Sequence, residues 1–411
     1  MKTPWRLAVL VSFLGWVSFF AGGCGPSGKK GPVALNNGLA LTPPMGWDSW
    51  NHFGLHIDAD LIRQVADAMG SNGMRDAGYQ YVIIDDGWAL KARSGGHLQP
   101  NPSLFPGGLK PLADYIHSRG LKFGLYASRG RLTCGGTGAG CHGFEAVDAA
   151  DFAAWGVDYL KYDNCDPPLV SSEQEDYRRM GEALAATGRP IVYGICAWAF
   201  KDWMPLLGNL WRTTPDLTDQ WDSMMAVVGG NESWASYAGP GRWNDPDMLQ
   251  VGNSDVPPEG PSLQGIPHPG MSHTEYEAQF SLWAVMAAPL IAGNDVRSMN
   301  PGIREILLNR EIIGVDQDPL GLQGKVAWEN PSGLEILSKP LADGGRAVVL
   351  LNASDFGSEM TAHWYPMGLR AFQARVRDLW LHQDMGRFKE SYTAYVPSHS
   401  VVMLKISPLN R

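Results

Sequence analysis

From Asp158 to Cys165 the chain reads DYLKYDNC. An apolar strand opening is followed by a lysine at 161, an aspartate at 163, and then asparagine and cysteine. An ionised group left unpaired away from water costs several kcal/mol, so a buried strand with this ending needs partners for its charges. Alternation places Tyr159, Lys161 and Asp163 on one face of the strand and Leu160 and Tyr162 on the other. On that shared face Lys161 is expected to hold Asp163 ionised, each charge offsetting the desolvation of the other.

The same grammar recurs along the chain. Between Leu41 and Gly293, apolar runs ending in polar or aromatic residues include PPMGWDSW from Pro43, YQYVIIDDGW from Tyr79, KFGLYAS from Lys122 and PIVYGICAW from Pro190. LWRTTPD from Leu210, GRWNDPDML from Gly241 and MAAPLIAGND from Met286 complete the series, which with the opening stretch makes eight. Helix-like patterns such as LIRQVADAMGSNGMRDAG and DAADFAAWG lie between them. Strands alternating with helices imply a parallel sheet with right-handed crossovers, and eight units in about 250 residues fit a closed (β/α)8 TIM barrel. An open doubly wound sheet is the rival arrangement.

After about Leu320 the rhythm changes. LEILSKPL, RAVVLLNAS, ARVRDLW and SVVMLKIS are short strand-like runs separated by turn residues, which reads as a C-terminal antiparallel β-sandwich. The expected division is an export signal over 1–24, a linker over 25–38, the α/β barrel over 39–320 and the antiparallel β domain over 321–411. The opening segment has Lys2 and Arg6, then LAVLVSFLGWVSFF, then AGGC reaching Cys24. A basic start, a short apolar stretch and small residues before a break are the pattern of an export signal. The approach to Cys24 resembles a bacterial lipoprotein signal, so a periplasmic or extracellular protein with a lipid anchor at Cys24 as its membrane contact is expected.

The 411 residues are 44% hydrophobic and 18% charged, enough apolar surface for a large core. A net charge of -9 without a basic stripe excludes nucleic acid as a partner. The sequence assigns no oligomeric state.

Active sites of parallel barrels lie at the carboxyl ends of the strands. The candidates there are Trp47, Asp85, Asp86, Tyr126, Lys161, Asp163, Cys196, Trp198, Arg212, Asp216, Asp247 and Met248, with Asp48 and Asp245 closing their own runs. A Schiff-base chemistry on Lys161 would need a depressed pKa, which so many carboxylates oppose. A divalent metal on Asp85, Asp86, Asp163 and Asp247 would compete with two cations. Glycoside hydrolysis needs two carboxylates flanking the scissile bond, with polar groups and aromatic faces to hold a sugar, and this mouth supplies them all.

The motifs PPMGWDSWNHF, IDDGW, YLKYDNC, WRTTPD, WNDPDML and MAAPLIAGND, in this order, make the chain resemble the melibiase-like α-galactosidases and α-N-acetylgalactosaminidases of glycoside hydrolase family 27 from about Leu39 to the C-terminus. The resemblance implies a retaining enzyme on terminal α-galactosides, needing no metal or cofactor, with Asp163 as nucleophile and Asp216 as general acid and base. By the same carry-over Asp85 and Asp86 take the 4- and 6-hydroxyls of galactose, Lys161 the 3- and 4-hydroxyls, and Arg212 sits near the 2-hydroxyl beside Asp216. Trp47, Tyr126, Cys196, Trp198, Asp247 and Met248 complete the implied pocket. Cys134 and Cys165 match a family disulfide, with Cys141 as a competitor for Cys134. The pKa of Asp216 is expected above that of Asp163. Departures are Gly87 where the family often has cysteine, ASRG in place of SDAG, and an apparent insertion from Asn253. Ala197 within ICAW keeps α-N-acetylgalactosaminidase open as an alternative, β-L-arabinopyranosides are expected as slower substrates, and a non-catalytic galactose-binding protein is the reading without chemistry.

Overall fold

The computed structural model describes residues 37–253 and 270–409, so the expected export signal with Cys24, the expected linker up to residue 36 and residues 254–269 of the expected insertion lie outside the described residues. Eight parallel strands form the first sheet: β1 (Met45–Asp48), β2 (Tyr81–Ile84), β3 (Lys122–Ser128), β4 (Tyr159–Asp163), β5 (Val192–Ile195), β6 (Leu210–Arg212), β7 (Trp243–Asp245) and β8 (Leu290–Ala292). Neighbours follow chain order and β8 lies beside β1. The circle is completed past β7, where Leu249 bridges Ala292 in parallel and its N–H donates to Ile291 O at 2.8 Å. This is the closed barrel, and the open-sheet rival is set aside.

Helices cover the barrel by simple amphipathic logic. Asp58 caps the helix Ala59–Ser71 by accepting from Leu61 N, and Ile62, Val65, Ala66 and Met69 form its buried face. Burying each of the larger side chains contributes about 1.5–3 kcal/mol. The run read as one helix through Gly78 is broken at Gly73, whose φ of 100° is a left-handed value that glycine adopts without penalty.

The chain then forms β9 (Lys325–Glu329), β10 (Leu334–Pro340), β11 (Arg346–Asn352), β12 (Ser358–His363), β13 (Gln373–Asp378), β14 (Gln383–Lys389), β15 (Ser391–Val396) and β16 (Ser400–Pro408). Six make one antiparallel sheet in the order β14-β13-β16-β11-β10-β9, and β12 pairs with β15 to form the facing layer. In β11, Ala347, Val349 and Leu351 join the core shared with the barrel, while Val348 and Leu350 fill the sandwich. Both faces are buried, which is why RAVVLLNAS reads as an unbroken apolar run.

The joint between the two parts is the helix His273–Met286, which packs against β10, β11 and β16 and starts with a Ser272/Glu275 capping box. Lys339 on β10 is fully buried, and its ammonium donates to Ala284 O at 3.1 Å and Asp316 O at 3.4 Å. Burial pulls the Lys339 ammonium down and pushes the nearby Asp316 carboxyl up. The ammonium meets the backbone carbonyl of Asp316 and not its carboxylate, so the two side chains act on each other through space, and removing either leaves the other buried with less compensation, at a cost of about 1–3 kcal/mol. Lys339→Met is therefore expected to lower the urea midpoint sharply, and adding Asp316→Asn to recover most of the loss; equal midpoints for single and double variants would show that the two charges are not coupled.

Candidate active site

The carboxyl ends of the barrel strands collect the charges that the sequence placed there. Lys161, on β4, sends its ammonium to Asp85 Oδ2 at 2.6 Å and lies 3.7 Å from Asp48 Oδ2. The expected direct pairing with Asp163 is corrected here: residues two apart on a strand stand about 6.6 Å apart along it, whereas β1 and β2 bring carboxylates across the barrel mouth to the lysine. Burial alone would lower the Lys161 ammonium, but Asp48 and Asp85 outweigh it and hold the group well above its ordinary value. Asp85 is fixed in turn, its Oδ1 accepting from Asp86 N at 2.7 Å.

Asp86 accepts from Gly87 N at 2.7 Å and from Gly135 N at 2.6 Å. A side chain at Gly135 would press on Leu55 at 2.9 Å and on the Asp86 carboxylate at 3.0 Å, so this donor needs glycine. The loop carrying it is pinned by the Cys134–Cys165 disulfide, which settles the competition with Cys141, a buried free thiol. Close passage of the loop also requires Gly130, where a Cβ would fall 1.9 Å from Cys165 O.

Asp163 ends β4 and is 6% exposed. Its Oδ1 accepts from Asn164 N at 2.8 Å, and its Oδ2 lies 3.1 Å from the disulfide sulfur of Cys134. Burial pushes its carboxyl up to about 6; Lys161 and the Asn164 N–H pull the other way without cancelling this, and the charge of Asp216 adds to the rise. The carboxyl expected to stay low is thus lifted in the unliganded protein because its side chain is buried, whereas that of Asp216 is 59% exposed. Lys161 therefore acts on Asp163 through space rather than through contact.

Arg212, at the end of β6, is the second cation. One of its terminal nitrogens serves Asp216 Oδ1 at 3.0 Å, Asp247 Oδ2 at 3.1 Å and Thr214 O at 3.2 Å. The other lies 3.7 Å from Cys196 Sγ, and its Nε, buried, has no partner. Asp247 has φ 105°, a conformation that costs a residue with a side chain about 1–3 kcal/mol. Four hydrogen bonds hold it there: its N–H to Asp245 Oδ1 (2.9 Å), its carboxylate from Met248 N (2.7 Å) and Leu217 N (2.8 Å), and its carbonyl from Trp283 Nε1 (2.8 Å). Burial raises the Asp247 carboxyl to about 6 despite Arg212.

A cavity at the barrel axis is lined by Lys161, Cys196, Arg212, Asp247 and Met248, joined by Asp48 and Asp245. Tyr126 is 1% exposed and receives Cys134 N at its hydroxyl. Trp47 has no exposed surface and donates to Asn294 O at 2.8 Å, so it backs the mouth instead of facing it. Trp198 lies beyond β5, half-buried, at φ 56°. Sequence reasoning put Asp48 at the end of its run without a role, and the structure makes it the second counter-ion of Lys161; the backbone donors of Asn164 and Gly135 it left out, since main-chain groups carry no signal in residue type.

Barrel, charged mouth and appended sandwich together define the class of barrel glycoside hydrolases. Residues 42–318 match the family model described as alpha galactosidase A, and residues 331–406 match that of the alpha galactosidase C-terminal beta sandwich domain. The chain is 45% identical over 377 residues to an alpha-galactosidase of Cyamopsis tetragonoloba, covering 90% of this chain and 88% of that one. It is 44% identical over 385 residues to alpha-galactosidase 2 of Arabidopsis thaliana, covering 92% and 93%. The crystal structure of alpha-galactosidase I from Mortierella vinacea is similar with a TM-score of 0.84 at 37% identity, covering 91% of this chain and 99% of that one. The chain belongs to the melibiase-like glycoside hydrolase family 27.

Because Lys161 lowers the Asp163 carboxyl through space, Lys161→Met is expected to move its titration to higher pH from a starting point near 6. Carboxyl-carbon NMR of labelled aspartate, with Asp163→Asn assigning the signal, reads this directly; a fall or no change would show that the lysine does not control that charge.

Proposed function

We propose that this chain is a retaining α-galactosidase that removes terminal α-linked galactose by two successive displacements. The observation that carries the reading is the unequal pair of acids: Asp163 buried and held between Asn164 N and the disulfide, Asp216 exposed on the solvent side and tethered by Arg212. A nucleophile must be fixed against the anomeric carbon, whereas an acid and base must reach the leaving oxygen and then a water. In the first step Asp163 attacks C1, the glycosidic C1–O bond breaks, and Asp216 gives its proton to the leaving oxygen. In the second step Asp216 takes a proton from water, the water oxygen bonds to C1, and the ester to Asp163 breaks. Retention calls for carboxyl groups about 5–5.5 Å apart.

The sugar-holding roles follow from charge and position. Asp85 and Asp86 accept from the 4- and 6-hydroxyls, and the Lys161 ammonium, which has donors left after its bond to Asp85, serves the 3- and 4-hydroxyls. Glucose carries its 4-hydroxyl on the other side and would leave these buried groups unpaired. The unpartnered Arg212 Nε and the guanidinium's grip on Asp216 support a place for Arg212 near the 2-hydroxyl. Cys196, Asp247 and Met248 close the pocket, with Tyr126, Trp198 and Trp47 around it. The protein is read as exported, which the Cys134–Cys165 disulfide and the leader pattern ending at Cys24 support.

Asp163 must be ionised to attack, so kcat/KM on an aryl α-galactoside should rise as pH passes through about 6. The same protein should leave the matched α-N-acetylgalactosaminide nearly untouched; the reverse preference would reassign the substrate, and saturable galactose binding with cleavage of neither would remove catalysis. Asp163→Ala should lose activity on the order of 10^4-fold or more. With an activated aryl substrate and azide, Asp163→Ala is expected to yield the β-galactosyl azide and Asp216→Ala the α-galactosyl azide. The opposite pairing of anomers by NMR would exchange the two roles.

A further inference from the structure

Behind the ends of β3 and β4, away from the cavity, three side chains converge that the proposed hydrolysis does not use. His142 lies in the loop after β3, Glu145 opens the helix Glu145–Trp155, and Asp176 lies in the helix Glu173–Ala186 that packs against it. One nitrogen or oxygen from each lies within 4.8 Å of the other two. Glu145 is 7% exposed and Asp176 fully buried, yet Glu145 Oε1, Asp176 Oδ1 and His142 Nδ1 are all buried atoms without a hydrogen-bond partner. The Tyr162 hydroxyl, on the neighbouring strand β4, is a further buried atom without a partner.

A buried polar atom left unsatisfied costs about 1–3 kcal/mol, and more when charged, so a cluster of them calls for a missing partner. Among the described residues, the cations at hand do not fill the role. Arg129 pairs with Asp176 through Oδ2 at 2.7 Å and leaves Oδ1 open, while Arg179, 45% exposed, stays 3.9 Å from that oxygen. Among the described residues no ion pair joins Glu145 to a cation, and its Oε1 has no hydrogen-bond partner. From this convergence of His142, Glu145 and Asp176 we infer a binding site for one divalent cation of the zinc class.

The donor set decides the class of ion. Calcium takes six to eight oxygens, whereas one imidazole and two carboxylates with a water in the fourth position match Zn2+. Bonds of about 2.0–2.2 Å require the three side chains to draw inward slightly, which the half-buried His142 loop permits. A water alone offers two donors, fewer than the open oxygens and the imidazole nitrogen converging here call for. The site connects to the mouth through Arg129, whose Nε donates to Asn164 Oδ1 at 2.5 Å; the Asn164 N–H in turn donates to Asp163. The ion fixes this rim and touches no reacting atom.

The test strips the full chain with EDTA, adds Zn2+, removes the excess by desalting and measures bound metal by elemental analysis together with Tm. The expected result is one equivalent of zinc more in the unaltered chain than in His142→Ala or the near-isosteric Glu145→Gln. Its Tm should rise with zinc concentration, and those of the variants should not. Both variants should keep their aryl galactoside hydrolysis within about twofold, since neither residue touches substrate. Zinc content equal in the unaltered chain and in the variants, or retention of Ca2+ but not Zn2+ in a parallel sample, overturns the inference.

Discussion

A half-buried lysine ammonium at the carboxyl ends of parallel strands is the constraint on which the mouth of this barrel depends. Lys161 is kept charged by carboxylates that β1 and β2 deliver from far away in sequence, Asp48 and Asp85. With fewer acids, burial would strip its proton; with fewer cations, the acids would take up protons. Burial already lifts Asp48, Asp86, Asp163 and Asp247. The site is therefore a balance of desolvation against attraction, poised so that small changes of environment move protons between groups.

Backbone geometry is subordinated to that balance. The left-handed turn at Asp247 is tolerated because hydrogen bonds over-determine it, and its result is a carboxylate aimed at Arg212. Arg212 then reaches outward to Asp216, the exposed acid. On the opposite side, the Cys134–Cys165 disulfide does for the β3 loop what those hydrogen bonds do for Asp247: it brings the Gly135 N–H to Asp86 and a sulfur against Asp163. The second domain packs on the barrel through the helix His273–Met286, where Trp380 Nε1 reaches Ser281 Oγ at 2.9 Å and Lys339 reaches the helix end.

The sandwich shows where reading by pattern falls short. LEILSKPL, RAVVLLNAS, ARVRDLW and SVVMLKIS stand out because they correspond to the inner strands β10, β11, β13 and β16, each with strand neighbours on both sides. The strands β9, β12, β14 and β15 went unnamed. They lie at sheet edges or in the two-stranded layer, where one face meets water and polar residues break the apolar run.

What the sequence by itself determined is the barrel, the sandwich after it and the set of side chains at the mouth, because period-two and helical patterns are local and the polar strand endings mark one rim. What only the tertiary structure decided is who meets whom: Lys161 with Asp85 and Asp48 rather than Asp163, Cys134 with Cys165 rather than Cys141, and the rise of the Asp163 carboxyl. Charge pairing and desolvation depend on distances across the barrel, and those are fixed only when strands remote in sequence close the circle.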